Sequence, residues 1–169
     1  MVEVELSSVR VDLRSNTPLI LLREIMEPHR SLPIFIGAPE ATAIAMAQRG
    51  YEAPRPLTHD LTIDLINKLG AKIERVVVVD LVDSTYYADI HLSSIQGRIV
   101  VSARPSDAVA LAIRIPAPIF VNDDLIAREG VVVQDDEVFE DNLAEAPEDP
   151  AVIDEFREFL DNITPEDFS

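Results

Sequence analysis

Hydrophobic and polar residues alternate at the start of the chain. Val2, Val4 and Leu6 would share one side of an extended segment, with a glutamate between each pair. A period of two residues is typical of a β-strand with one covered face. The pattern therefore predicts a strand from Val2 to Asp12, which ends before a Ser-Asn turn signal.

The next part of the chain predicts two strands followed by two helices. The strands are predicted at Pro18 to Ile25 and at Leu32 to Ile36. A proline and an acid then precede an alanine-rich segment that ends at Gly50, which is typical of a helix. A second helix is predicted from Leu57 to Leu69. Its apolar residues recur at helical spacing and predict one buried face; they are Leu61, Leu65, Ile66 and Leu69.

The same order of elements then recurs. Strands are predicted at Ala71 to Val82, Tyr86 to Leu92 and Arg98 to Ser102, and a helix at Ser106 to Ile113. The helix starts also align, since residues 40–45 (EATAIA) correspond to residues 107–112 (DAVALA). We interpret this as a duplicated βββα unit in an α+β fold, with helices packed on a mixed or antiparallel sheet. The alternative is that any helix packed on a sheet favours alanine and an acidic first turn.

The last part of the chain is strongly acidic. After a predicted strand at Ala117 to Val121, a short helical turn and three valines, residues 134–148 have the composition of a loop. Asp149-Pro150 then predicts a final helix from Ala151 to Leu160, which is too short to be stable without a partner surface. We therefore predict a domain at residues 1–133 and an acidic tail at residues 134–169.

The charge of the chain is concentrated in its last third. The net charge is −17, but residues 123–169 contain 17 acids and 2 bases, whereas residues 1–122 carry a net charge of −2. The body is thus nearly neutral, although an acidic chain is unusual for a protein that binds phosphates. The absence of cysteine excludes disulfides and thiol catalysis. With no signal peptide and no long apolar run, we expect a cytoplasmic protein.

One candidate for chemistry is the loop at residues 54–60 (PRPLTHD). Two prolines flank Arg55, whose guanidinium suits a phosphate. His59 is of a type that exchanges protons near neutral pH, and Asp60 would orient it or bind a cation. The structural alternative is that Thr58 caps the helix and Asp60 favours its dipole, and spacing alone favours that alternative.

A second candidate is the strand-to-helix junction at residues 103–107 (ARPSD). Arg104 would reinforce the affinity of the helix N-terminus for phosphate. Asp107, like Glu40 in the first unit, has a structural alternative as a helix-dipole residue. Taken together, the two corresponding acids and the two arginine loops indicate a site with paired carboxylates.

At these residues the chain resembles the bifunctional nuclease domain family. The resemblance covers roughly three quarters of the chain, and its motifs occur in the same order and at similar spacing. They are Ile36-Gly37 with Glu40-Ala41, residues 54–60, Leu69-Gly70-Ala71, Tyr86-Tyr87-Ala88, residues 103–108 and residues 117–121. The resemblance implies a small α+β domain and nuclease activity on DNA and RNA. The acidic tail is not part of the shared pattern.

From residue chemistry on these motifs we predict a phosphodiester hydrolase assisted by Mg²⁺ or Mn²⁺. The predicted catalytic residues are His59, Asp60, Glu40 and Asp107; the substrate-binding residues are Arg55, Thr58, Arg104 and Ser106; the metal ligands are Glu40, Asp60 and Asp107.

Two other functions fit the same composition. One is a non-catalytic interaction module whose tail binds a basic partner or the chain's own phosphate site. The other is a site for a small anionic ligand. The chain is also predicted to form a homodimer or a higher homo-oligomer, because symmetric dimers are the commonest oligomers.

Overall fold

The computed structural model describes residues 1–12, 15–132 and 143–145, and it shows an α+β fold. The strands are β1 (Val2–Asp12), β2 (Thr17–Glu24), β3 (Arg30–Phe35), β4 (Ala71–Val82), β5 (Thr85–Ser94), β6 (Gly97–Ala103), β7 (Ile119–Val121), β8 (Val131–Val132) and β9 (Leu143–Glu145). The helices are α1 (Ala38–Gln48), α2 (Thr58–Lys68), α3 (Pro105–Ala112) and α4 (Asp123–Glu129).

The strands form one mixed sheet in the order β6-β5-β4-β7-β1-β2-β3-β8, and β9 pairs with β1 beside this path. Strands β1 to β3 form one antiparallel meander, and β4 to β6 form another. The short strand β7 lies between them, antiparallel to β1 and parallel to β4. The sheet therefore consists of two meanders joined through β7.

Each meander is followed by a helix on the same face of the sheet. The first three helices pack on the central strands: α1 on β1 and β2, α2 on β4, and α3 on β4 and β5. The core between sheet and helices includes Ile20 and Leu22 of β2, Val76 and Val78 of β4, and Ile44 of α1. The predicted order of three strands and one helix is thus present twice, while duplication as its origin stays a prediction.

Alanine lets two of these helices pack closely together. In α3, residues 108–112 are all buried, and three of them are alanine. In α1, Ala41 and Ile44 are buried. Small side chains allow α1 and α3 to contact each other as well as the sheet. This contact brings the N-terminal ends of the two helices together.

The orientation of α2 differs from the sequence prediction. Leu61, Leu65 and Leu69 are exposed, whereas Ile63 and Ile66 pack against the core. The side of α2 that carries Ile63 and Ile66 faces β4, and the side that carries the three leucines faces away from the core. The prediction of one buried face containing all four apolar residues was therefore wrong for the three leucines.

The predicted tail helix, Ala151 to Leu160, lies outside the described residues, as does most of the acidic segment that precedes it. Within the described residues, no helix is both long enough and apolar enough to cross a membrane.

Candidate functional site

Three acidic side chains occupy the same position in three helices. Glu40, Asp60 and Asp107 are each the third residue of their helix, in α1, α2 and α3 respectively. A carboxylate in the first turn favours the helix dipole and can accept a hydrogen bond from the free backbone N–H that precedes the helix. Asp60 is used in this way, since its Oδ2 accepts a bond of 3.0 Å from the amide of Leu57.

The other two carboxylates share one guanidinium. Arg104 immediately precedes α3 and is held in an extended conformation (φ −70°, ψ 144°), as expected for a residue before proline. Its Nη1 lies 2.8 Å from Oε1 of Glu40. Its Nε and Nη2 donate to the two carboxylate oxygens of Asp107 at 2.7 and 3.1 Å. Arg104 therefore connects the acids of α1 and α3, and its hydrogen bonding to Asp107 is bidentate.

A histidine completes this cluster. Nε2 of His59, on α2, lies 3.5 Å from Oδ1 of Asp107. This separation suits an ion pair when the imidazole is protonated, and it is longer than a usual N–H···O bond. The side chain of His59 is 15% exposed and that of Arg104 is 65% exposed. We call Glu40, His59, Arg104 and Asp107 the three-helix cluster.

The charges within the three-helix cluster stabilise one another. Partial burial acts to raise the pKa of Asp107, but hydrogen bonds and charge from Arg104 and His59 outweigh it and lower that pKa. The hydrogen bonds and charges of Asp107 and Glu40 raise the pKa of Arg104. The cluster therefore keeps a carboxylate and an exposed cation side by side at neutral pH.

A glycine makes room for one member of the cluster. Gly37 immediately precedes α1, and a Cβ added there would collide with the carboxylate end of Glu40. The backbone at Gly37 (φ −76°, ψ 158°) is one that any residue adopts, so the requirement concerns space alone. Glycine at this position lets Glu40 fold back toward the start of its helix.

The third acid has a different partner. Oδ1 of Asp60 accepts a bond of 2.9 Å from Nε of Arg114. The same guanidinium donates to the carbonyl oxygens of Ala110 and Ala43, at 2.7 and 2.9 Å. These three bonds connect α1, α2 and α3. The side chain of Arg114 is only 9% exposed, so the connection is largely shielded from solvent.

The remaining predicted substrate-binding residues contribute differently. Arg55 is exposed in the loop before α2 and makes no ion pair or hydrogen bond within the described part of the chain. Thr58 is exposed at the first position of α2. Ser106 lies one residue before Asp107 but is only 5% exposed, so it adds little surface to the cluster. The structure thus brings together four of the eight predicted site residues, and the roles of all eight stay predictions.

The predicted metal ligands do not meet as a set of three. Asp60 faces Arg114, whereas Glu40 and Asp107 both bind Arg104. Across residues 1–12, 15–132 and 143–145, no group of three or more acidic, histidine or cysteine side chains has the arrangement to hold a metal ion. Glu40 and Asp107 are the two predicted carboxylates that share one location.

The contacts of Arg114 and the need for a residue without a Cβ at position 37 were not predicted from the sequence. Arg114 follows the last turn of α3, where a base is commonly explained by the helix dipole. Its contacts reach α1 and α2 across long sequence separations, which periodicity does not reveal. A signal was available for Gly37, because it directly precedes a helix start and Glu40 lies within one turn.

Comparison with known proteins identifies relatives over most of the chain. A family model described as the bifunctional nuclease domain matches residues 20–134, a segment that contains every residue of the three-helix cluster. An uncharacterized protein of Mycobacterium tuberculosis is 44% identical over 168 residues, or 99% of this chain and 98% of the relative.

Two plant proteins are more distant relatives. Bifunctional nuclease 2 of Arabidopsis thaliana is 29% identical over 107 residues, which are 62% of this chain and 32% of the relative. Bifunctional nuclease 1 of Oryza sativa subsp. japonica is 25% identical over 133 residues, which are 70% of this chain and 40% of the relative. The matched region is thus well under half of each plant protein.

Proposed function

Because this chain belongs to the bifunctional nuclease domain family, we propose that it hydrolyses phosphodiester bonds in DNA, in RNA or in both. The observation that carries the proposal is the three-helix cluster, in which His59, Asp107 and an exposed Arg104 lie side by side. The plant relatives that carry the name bifunctional nuclease support nucleic acid as the substrate.

Substrate binding begins at Arg104. Its guanidinium is largely exposed and adjoins the first turn of α3, where free backbone amides favour an anion. A phosphate that binds here competes with the carboxylates of Glu40 and Asp107 for the same donors. Arg55, exposed four residues before His59, supplies a second cation for the flanking phosphate, and Thr58 adds a hydroxyl at the start of α2.

His59 moves the proton in the reaction. As general base it accepts a proton from a water molecule, whose oxygen forms a bond to phosphorus while the bond to the leaving ester oxygen breaks. The protonated imidazole of His59 then gives its proton to the leaving oxygen, through a water molecule where the two are apart, which regenerates the base. The products are a phosphate monoester and a free hydroxyl. Asp107 orients the imidazole and stabilises its protonated form, and Arg104 neutralises charge that develops on the phosphoryl oxygens.

A divalent cation, Mg²⁺ or Mn²⁺, is part of the proposal as an added cofactor. Glu40 and Asp107 are the carboxylates that would hold it, since Mg²⁺ commonly uses one or two carboxylates, several waters and substrate phosphates. Both already bind Arg104, and the third predicted ligand, Asp60, faces Arg114. When bound, such a cation would add charge stabilisation, but the proton transfer described for His59 does not depend on it.

The test is cleavage of defined substrates by the purified full chain. Supercoiled plasmid, single-stranded DNA and single-stranded RNA are each incubated with MgCl₂, MnCl₂ or EDTA. We expect cleavage by the wild-type chain and a loss of at least about 100-fold in His59→Gln, the lower range for a general base. His91→Gln is the matched control, because His91 lies in β5 outside the cluster.

The results of this assay distinguish a nuclease from a non-catalytic interaction module. Equal, EDTA-insensitive cleavage by wild type and His59→Gln would remove this mechanism. No cleavage of any substrate by the wild-type chain would favour the interaction module, which the acidic composition and the two acids already bound to Arg104 also fit.

A further inference from the structure

One edge of the sheet is long, regular and apolar. Strand β6 ends the sheet and pairs only with β5 in the described residues, without a register shift. The other end of the sheet is the two-residue strand β8. In the centre of β6, the consecutive residues Ile99, Val100 and Val101 are 43%, 54% and 43% exposed.

Such an edge differs from those that soluble proteins usually leave open. Edge strands are commonly protected by charges, prolines, bulges or short length, because their free N–H and C=O groups can pair with another strand. Strand β6 has seven residues, no proline and a single charged residue, Arg98. Among the described residues, none covers the outer edge of β6, so its backbone groups and its apolar side chains are both available for pairing.

The sequence of β6 fits a second copy of itself. In a two-fold antiparallel pair, one residue must lie opposite its own copy. With Val100 at that position, Ile99 lies opposite Val101 and Gly97 lies opposite Ala103, so all seven residues pair. Arg98 then lies opposite Ser102, whereas centring the pair on Arg98 or on Val101 would oppose arginine to arginine.

We propose that β6 pairs with β6 of a second copy of this chain, with the two Val100 residues at the two-fold axis. The partner is the same protein because one register uses the whole strand, buries the three apolar residues and opposes no like charges. In this register the β5–β6 turn of each copy, where Ile95 is almost fully exposed, lies level with Arg104 of the other. The dimer does not depend on the proposed nuclease function.

Cross-linking tests the register directly. The chain has no cysteine, so Val100→Cys carries a single thiol. Opposed residues in an antiparallel pair have Cα atoms about 4.5–5.5 Å apart, within the range that a disulfide spans. We expect mild oxidation to convert most of Val100→Cys to a covalent dimer. Val132→Cys, an exposed valine in the edge strand β8, should remain mostly monomeric in the same treatment.

A charged residue at the two-fold axis tests the interface without a covalent cross-link. In Val100→Lys two ammonium groups would oppose each other, and we expect the dimer dissociation constant to rise at least about tenfold. Val132→Lys should leave it unchanged. Sedimentation velocity on the full-length chains measures both, and circular dichroism checks that each variant folds. A wild-type chain that is monomeric at 100 μM, or a dimer that Val100→Lys leaves intact, would overturn the proposal.

Discussion

Nε2 of His59 lies 3.5 Å from Oδ1 of Asp107, although the two residues belong to different helices. Their proximity depends on the packing of α2 against α3 and on Arg104, which fixes the orientation of the Asp107 carboxylate. The pair is therefore a product of tertiary structure, and it links the two arginine-containing junctions that the sequence indicated.

The first prediction concerns coupling between these two residues. If Asp107 acts by orienting His59, Asp107→Asn should reduce cleavage, and the double variant with His59→Gln should lose no more activity than His59→Gln alone. Residues that act as a unit give such non-additive losses. The test is to measure the initial rate of cleavage for each single variant and for the double variant. Losses that simply multiply would show that the two residues act separately.

The second prediction concerns Gly37. In Gly37→Ala the new methyl group displaces the carboxylate of Glu40, which is the end of a flexible side chain. We therefore expect the rate of cleavage to change as it does in Glu40→Ala, with a change in melting temperature of only a few degrees. Gly130→Ala is not a suitable comparison, because a Cβ there would meet the backbone oxygen of Ile126. A normal rate in Gly37→Ala would mean that the position of Glu40 does not matter.

The third prediction concerns Arg114. Its removal leaves Asp60 and the carbonyl oxygens of Ala43 and Ala110 without their shared donor. Hydrogen bonds to charged groups contribute about 1.5–3 kcal/mol, and part of Asp60 is exposed, so Arg114→Ala should lower the free energy of unfolding by about 2 kcal/mol. Urea denaturation measures the loss.

The control for Arg114 is another arginine in an exposed ion pair. Arg128 lies 3.5 Å from Asp80, and both side chains are about half exposed. Arg128→Ala should therefore cost less than about 1 kcal/mol. Equal losses in the two variants would contradict the role of Arg114 as the contact that holds three helices together.

The fourth prediction concerns pH and the turn between β2 and β3. Glu24 is buried, and hydrogen bonds from the side chain and the backbone amide of Arg30 lower its pKa from the ordinary value of 4.5. A group with a lowered pKa in the folded state stabilises the protein above its ordinary pKa. This stabilisation is lost as the pH falls through the lowered value.

Glu24→Gln should therefore destabilise the chain by about 1.5–3 kcal/mol at pH 7 and by less at pH 3. Glu27→Gln is the matched control, because Glu27 is largely exposed in the same turn. Urea unfolding curves at both pH values measure how the loss in the free energy of unfolding changes with pH. A loss in Glu24→Gln that is as large at pH 3 as at pH 7 would mean that its charge is not the cause.

The alternation of apolar residues predicted most strands well. β1 and β4 have the predicted bounds, and the other strand ends differ by a few residues. The helix starts were also predictable, since a proline and an acid mark the first turns of α1 and α3. These signals are local, so a single segment of sequence contains them. The covered side of α2 was not predictable in the same way, because two apolar sides compete and only the packed sheet decides between them.

The sequence predicted which residues lie in the site, but it did not predict which of them form ion pairs with each other. Glu40, His59, Arg104 and Asp107 were all candidates, and they lie together. Asp60 was predicted to orient His59 or to bind a divalent cation, and its carboxylate pairs with Arg114. Arg104 was predicted to bind a phosphate, and its pairing with Glu40 and Asp107 was not predicted. Which cation meets which acid depends on distances between helices, and those distances are set by packing that no short motif encodes.

The three-residue strand β7 has a consequence for how the protein loses function. It joins two meanders, which are also connected through the contact between α1 and α3 and through α4, which contacts both β3 and β4. Glu40 lies in α1, which follows the first meander, whereas Arg104 and Asp107 lie at the start of α3, which follows the second. His59 lies in α2, which packs on β4 of the second meander. A partly opened molecule can thus keep every hairpin intact and still lack the proposed anion site, so an assay of the proposed cleavage would detect such opening before spectroscopy of secondary structure does.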